Sequence, residues 1–232
     1  MSGPMTGTGT PAFLFDLDGT LVDSVYQHVS AWHEALMACG ISLSVWRIHR
    51  RIGMSGGLFL NALQRETGLT LDQGTLAKLT SLHRDGYLSR VASVKPLPGA
   101  RELIAFLHDH GARFAIATSG ALEVARAGLE LLDLPEGTPV VTRDMVARAK
   151  PDPDLFLAAA AKLDADPHNS FVVGDSVWDL LAAQRAGSLG TGVLSGGYGA
   201  EELQAAGAYR VYQDPAELLA HIEELGVRSN VS

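Results

Sequence analysis

The chain has one cysteine, four lysines and no apolar run long enough to cross a bilayer. With Cys39 alone, an internal disulfide and a cysteine-based zinc cluster are excluded, and the composition fits a reducing compartment. A membrane helix needs about 18 or more uninterrupted apolar residues, and none is present. Residues 1–11 (MSGPMTGTGTP) lack the basic flank and apolar stretch of a signal peptide. They read as a flexible leader, and the protein as cytoplasmic and not a membrane protein. Positive charge is also scarce. The 18 basic against 26 acidic residues give a formal charge of −8, which provides no attractive field for nucleic acid. No lysine follows a glycine, so a GK[ST] phosphate loop is absent, and the glycines between Gly187 and Gly199 form no GxGxxG turn. His108-Asp109-His110 ends a helical pattern with no partner at metal-site spacing, and His33-Glu34 lacks the second histidine of a zinc-protease helix.

What is present suits a globular chain. A chain of 232 residues with 47% hydrophobic content can bury roughly 70–75% of its unfolded surface without staples. Short apolar runs at 12–15, 113–117, 138–141, 171–173, 192–194 and 209–211 alternate with helical periodicity at about 100–110, 121–131, 153–163, 177–186, 201–206 and 215–225. That alternation predicts an α/β, Rossmann-like, doubly wound parallel sheet. Asp152-Pro153 reads as a helix cap followed by proline in the first turn. From 24 to 94 the pattern is helical throughout: Val25, Val29, Trp32, Leu36 and Met37 recur at helical spacing, and further helices start near Ser55 and Asp72. This segment is an inserted helical domain, and the turn-rich KPLPG at 95–99 closes it.

Four clusters stand just beyond apolar runs. Phe15-Asp16-Leu17-Asp18-Gly19-Thr20 follows the first; two aspartates and a glycine can make a simple turn. Thr118-Ser119-Gly120 follows the second and begins a helix. It either caps that helix or offers a hydroxyl and backbone N–H groups to phosphoryl oxygens. Lys150 precedes Pro151, which holds it extended and outside the next helix. Gly174-Asp175-Ser176-Val177-Trp178-Asp179 follows another strand; Ser176 and Asp179 have capping-box spacing. In open α/β sheets ligands bind at the carboxyl ends of strands, where all four clusters would converge.

The order DxDGT, TSG, KP, GDSxxD resembles the four motifs of the haloacid dehalogenase superfamily, over 12–225. The resemblance implies an α/β catalytic core at 12–23 and 95–232 and a four-helix cap at 24–94, hinged near Asp23-Ser24 and 95–99. It implies a phosphatase acting on a small phosphorylated metabolite, of sugar phosphate or phosphoglycolate type, through an aspartyl-phosphate. Asp16 would be the nucleophile, Asp18 the acid and base, and Thr118, Ser119, Gly120 and Lys150 the groups that hold the transferring phosphoryl. Asp16, Asp175 and the backbone carbonyl of Asp18 would hold Mg2+, with Asp179 as a ligand or its support. Clustered carboxylates about 4 Å apart repel by about 4 kcal/mol per pair at an effective dielectric near 20, and an all-oxygen donor set suits magnesium. The second aspartate separates phosphate chemistry from dehalogenation proper.

In the cap, Asp23-Ser24-x-x-x-His28-x-x-x-Trp32 is similar to sugar-phosphate members, which puts His28 near the substrate. Arg50, Arg51 and Ser55 in the loop RRIGMSG are the other candidate specificity residues. Beta-phosphoglucomutase is the alternative activity, although Gly56 stands where such mutases carry a phosphate-binding arginine. Phosphonatase activity is disfavoured because Lys78, the one lysine of the insert, does not match its Schiff-base position. A non-catalytic binding protein of the same fold is a third reading, and a monomer is the expected state.

Overall fold

The computed structural model describes residues 10–227. The leader up to residue 9, and the last five residues of the expected core, lie outside the described residues. The elements run β1 (Ala12–Phe15), β2 (Val22–Asp23), α1 (Val25–Ala38), α2 (Val45–His49), α3 (Gly56–Thr67), α4 (Gln73–Leu88), β3 (Lys95–Pro96), α5 (Ala100–Asp109), β4 (Phe114–Ala117) and α6 (Leu122–Glu130). They continue with β5 (Val140–Val141), α7 (Asp154–Lys162), β6 (Ser170–Gly174), α8 (Val177–Ala186), β7 (Leu189–Val193), α9 (Ala200–Ala205), β8 (Ala208–Tyr212) and α10 (Pro215–Ala220).

Six strands form one parallel sheet in the order β5-β4-β1-β6-β7-β8. Strand β1 is buried on both faces, and its side chains alternate between two cores. Phe13 and Phe15 join Phe114, Ile116, Phe171 and Val173 in the larger core, under Leu103 and Leu107 of α5 and Leu218 of α10. Leu14 turns the other way, with Ala115, Val172, Leu155 and Phe156. Small residues on that side, Ala159 and Ala160 of α7 with Ala182 and Ala183 of α8, let the helices pack against the strands. This period-2 division makes the sheet doubly wound. The chain passes from β1 to one side of the sheet for β4 and to the other for β6. That places a topological switch point at the carboxyl end of β1.

Helices α1 to α4 share a separate apolar cluster of Val25, Val29, Trp32, Leu36, Ile48, Phe59, Leu63 and Leu79. Met37, counted in the apolar stripe of α1, is instead 56% exposed; Ala35 takes the buried place. The two connections to the insert pair as a two-stranded antiparallel ladder, Val22 with Pro96 and Asp23 with Lys95. Such two-residue strands carry no periodicity, and the five-residue α2 was submerged in the general helical pattern. Helix α7 starts after Pro153 rather than after an Asp152 cap. The side chain of Asp154 accepts from the Arg148 N–H instead (3.2 Å). The last helix ends at Ala220, and a separate 3₁₀ turn follows over Ile222–Leu225. Among the described residues no helix is long and apolar enough to cross a membrane.

Candidate active site

Asp16 is the first residue beyond β1, and its N–H donates to Val173 O on β6 (2.9 Å), which fixes it at the sheet's carboxyl edge. Thr118 is fixed in the same way by Val141 O (3.0 Å). Between them the loop after Asp16 turns back through Gly19 at φ 85°, whose N–H donates to Val22 O (2.8 Å). A side chain there would strike Val25 and the carboxylate of Asp175, at 2.5 and 2.7 Å. Gly174 is required for a similar reason: a Cβ would lie 2.3 Å from that of Asp179.

Three carboxylates meet below this edge. Asp16, Asp175 and Asp179, all buried, each present an oxygen within 4.8 Å of the others. Lys150, fully buried, is their one close cation among the described residues: Nζ pairs with Asp16 Oδ1 and lies 2.8 Å from Asp179 Oδ1. Burial opposes the charge of Lys150, but Asp16 and Asp179 overcome it and raise its pKa. Asp179 also accepts from the Ser176 N–H (3.1 Å) and hydroxyl (2.5 Å) through Oδ2, so it caps α8 and holds Lys150 at once. The Thr20 hydroxyl bridges Asp175 Oδ1 (3.2 Å) and Asp16 Oδ2 (3.5 Å). Burial pushes the Asp16 carboxyl up to about 7, helped by Asp179 and Asp18 and opposed by Lys150. Burial also raises Asp175 well above the carboxylate range, with Asp179 and Asp16 adding to it. Three buried carboxylates against one ammonium leave a deficit of positive charge that an oxygen-preferring divalent cation fits.

The loop after β7 closes over this cluster. A Cβ on Gly196 would fall 1.7 Å from Asp175 Oδ2, so the backbone itself forms the wall of the carboxylate pocket. The Ser195 hydroxyl donates to Gly19 O (2.6 Å). From the helical insert, His49 Nε2 reaches Gly196 O (2.8 Å), and Arg50 O accepts from Trp178 Nε1 (3.2 Å) and Tyr198 OH (2.9 Å). The Arg50 guanidinium pairs with Glu202 and stacks over Tyr198 at 4.1 Å. Of the two loop arginines, either of which could have met a substrate anion, Arg50 instead holds the insert against the core.

Asp18 points up from the turn. Its Oδ1 accepts from the Ser24 hydroxyl (2.6 Å) and lies 3.3 Å from His28 Nε2. Burial pushes its pKa up, but His28 and the Ser24 bond outweigh burial and hold it below the usual carboxylate value. Asp18 contributes no side-chain oxygen to the three-carboxylate cluster.

Asp16, Asp18, His28, Arg51, Ser55, Thr118, Ser119 and Gly120 all line one cavity of about 360 Å³ between the insert and the sheet edge. Lys150, Asp175 and Asp179 lie beside its floor. Helix α6 begins at Leu122 after an Ala121 cap, one residue later than expected, so Ser119 and Gly120 do not cap it. The Gly120 N–H donates to Thr118 Oγ1 (3.0 Å), while buried Ser119 Oγ has no hydrogen-bond partner among the described residues. An unsatisfied buried hydroxyl at the cavity wall is a vacancy for an external acceptor. Two cap residues are occupied locally. Ser55 caps α3, accepting from the Leu58 N–H at 3.4 Å. Arg51 is tied to Glu66 and donates to Arg47 O.

Sequence reasoning missed His83, Arg84, Glu123 and Arg143, which also line the cavity. For His83 a signal existed: Leu79, His83 and Tyr87 lie at i, i+4 and i+8 of α4, so a polar side chain interrupts a buried stripe. Gly196 carries no signal in one sequence, because its neighbour Asp175 is reached only through the fold.

A family model described as haloacid dehalogenase-like hydrolase matches residues 10–187. The chain is 32% identical over 177 residues to hexitol phosphatase A of Escherichia coli (strain K12), spanning 75% of this chain and 79% of that one. It is 32% identical over 197 residues to a phosphoglycolate phosphatase of Caulobacter vibrioides, spanning 84% and 83%. The crystal structure of a hydrolase from Pseudomonas syringae superposes with a TM-score of 0.90 at 50% identity, covering 92% of this chain and 98% of that one. The motifs at the strand ends, the sheet order and these similarities agree: the chain belongs to the haloacid dehalogenase-like hydrolase family.

Proposed function

We propose that the chain is a magnesium-dependent phosphatase that hydrolyses a small phosphate ester, of sugar phosphate or phosphoglycolate type, through a phosphorylated Asp16. The observation that carries this reading is the pairing of two unlike carboxylates at one cavity floor. Asp16 is packed among Asp175, Asp179 and Lys150, whereas Asp18 is held apart by Ser24 and His28. Lys150 and a bound cation would keep Asp16 ionised for attack, while Asp18, outside that cluster, is placed to carry a proton.

In the first half-reaction an Asp16 oxygen bonds to phosphorus as the bond to the leaving oxygen breaks, and the Asp18 carboxyl gives that oxygen its proton. The anionic ester brought beside Asp18 adds a like charge that raises its pKa, so the proton is taken up with the substrate. In the second, Asp18 takes a proton from water as the water oxygen bonds to phosphorus. The bond to Asp16 then breaks, phosphate leaves, and Asp18 is protonated again. Lys150 holds Asp16 in place and offsets charge on the phosphoryl oxygens. Ser119 Oγ and the Thr118–Gly120 turn bind those oxygens. Asp16, Asp175 and the Asp18 carbonyl would hold Mg2+, with Asp179 supporting the set. The ion supplies positive charge that lets the carboxylates and the phosphate share one site.

Hydrolysis is favoured over phosphate transfer between two sites of one sugar. The cap arginines at the cavity are already paired, Arg51 with Glu66 and Arg84 with Asp85 and Glu123, and Gly56 supplies no charge for a second phosphate. The test is phosphate release from sugar phosphates, polyol phosphates, phosphoglycolate and nucleotides, with magnesium and with chelator. Magnesium-dependent release that disappears in Asp16→Asn is expected. Sugar phosphate isomers interconverted without release would replace the reading with a mutase.

A further inference from the structure

The polar interruption in α4 leads to Asp18. The His83 ring stacks on Trp32, with centroids 4.1 Å apart and planes within 12°. The His28 ring stacks on Tyr87 at 3.9 Å and 2°. These contacts hold both imidazoles edge to edge. His83 Nε2 lies 3.1 Å from His28 Nδ1, and His28 Nε2 lies 3.3 Å from Asp18 Oδ1. The result is a continuous chain of carboxylate, imidazole and imidazole.

The proton count along this chain is constrained. An ionised carboxylate only accepts hydrogen bonds, so the His28 nitrogen facing Asp18 must carry a proton. A neutral His28 then has a bare Nδ1, and only a donor can face it at 3.1 Å. His83 meets that need. Burial holds its pKa well below the ordinary histidine value, so it keeps one N–H. With that proton on Nε2, every contact in the chain has one donor and one acceptor.

We propose that His83 is a positioning residue: its Nε2–H fixes His28 in the tautomer that donates to Asp18. This rests on the reading of Asp18 as the acid and base. Both Ser24 and His28 engage Oδ1, so neither occupies Oδ2, which stays free to serve the leaving group and water. Without a donor at Nδ1, the other His28 tautomer becomes accessible. It sets a bare Nε2 against the carboxylate, breaks the bond and frees Asp18 to rotate.

The test uses side-chain nitrogen NMR of the full chain, resting and free of substrate, at neutral pH. In the unsubstituted protein His28 is expected with Nε2 protonated and Nδ1 bare. His83→Phe keeps a ring on Trp32 but has no donor, and should move His28 toward the Nδ1–H form. His83→Gln, which returns an N–H donor, should restore it. In turnover of the best ester, His83→Phe should lower kcat about tenfold, the scale for losing a partner that orients a functional group. KM should stay within about twofold, and His83→Gln should recover most of the loss. A doubly protonated His28 in the unsubstituted protein, or an unchanged tautomer in His83→Phe, overturns the proposal. So does a KM rise with kcat intact, which would make His83 a substrate contact. The resting tautomer needs neither a variant nor turnover, so it remains readable if no ester is hydrolysed and the phosphatase reading fails.

Discussion

Substituting Gly196 by alanine tests whether the wall around Asp175 shapes a metal site. The new methyl would lie 1.7 Å from Asp175 Oδ2 and 2.4 Å from its Cγ. Non-bonded heavy atoms rest near 3.5–4.0 Å, so the shortfall is about 1.5 Å or more. Neither side yields freely. Asp175 accepts from Thr20 at 3.2 Å, Gly196 O is held by His49 at 2.8 Å, and Ser195 is anchored on Gly19 O at 2.6 Å. Overpacking of this kind costs about 1–3 kcal/mol, or roughly 2–12 °C in melting temperature for a chain of this size. Displacing a carboxylate ligand should also weaken magnesium by about 10- to 100-fold. Calorimetric titration with magnesium and thermal unfolding, each with and without the ion, read both quantities. Gly199→Ala is the control, since its Cβ would meet only Glu202 Oε2 at 3.5 Å. Unchanged magnesium affinity and melting in Gly196→Ala would refute the reasoning.

Stability in chelator should fall as pH rises from about 4 to about 7. Asp16, pushed up to about 7, and Asp175, also raised, keep protons in the folded state that the unfolded chain has already released. Each contributes a slope of at most about 1.4 kcal/mol per pH unit. Magnesium should flatten that slope, and denaturant unfolding that shows stability rising with pH in chelator would contradict the assignment. Ser119→Ala removes no hydrogen bond of Oγ among the described residues. It should leave melting unchanged while weakening inhibition by inorganic phosphate by about 5- to 30-fold, measured from turnover at increasing phosphate. Arg50→Ala breaks a half-exposed pair with Glu202 worth at most about 1 kcal/mol. A double-mutant cycle with Glu202→Ala on kcat/KM should give a coupling of that size, and zero coupling would show that the pair does not hold the insert closed.

How much could be read without coordinates depended on how local the cause was. The strand-end aspartates were legible because an apolar run followed by DxDGT or GDSxxD fixes both the backbone and the side chain within a few residues. The doubly wound sheet was legible too: the run 12–15 is apolar throughout, as a strand buried on both faces is, and such runs alternate with helical segments along the chain. The pairing of Val22 with Pro96 was not, because its partners are far apart in sequence and each strand is two residues long. Arg51 and Ser55 stand out in the sequence as polar residues in a cap loop. Their engagement by Glu66 and by the first turn of α3 depends on how the cap packs. His83 could have been found as a break in an apolar stripe, but its proximity to Asp18 passes through His28 on another helix.

The central claim is that Asp16 becomes phosphorylated, and the most direct measurement is to trap that adduct. An Asp18→Asn variant lacks the base for the second half-reaction but retains the nucleophile. It would be mixed with labelled p-nitrophenyl phosphate, whose leaving group departs without a proton, in magnesium and then quenched in acid. The account predicts label on the peptide that contains Asp16, released by hydroxylamine and absent when Asp16 is also changed to Asn. Release of nitrophenol with no label on Asp16 at any quench time would contradict it.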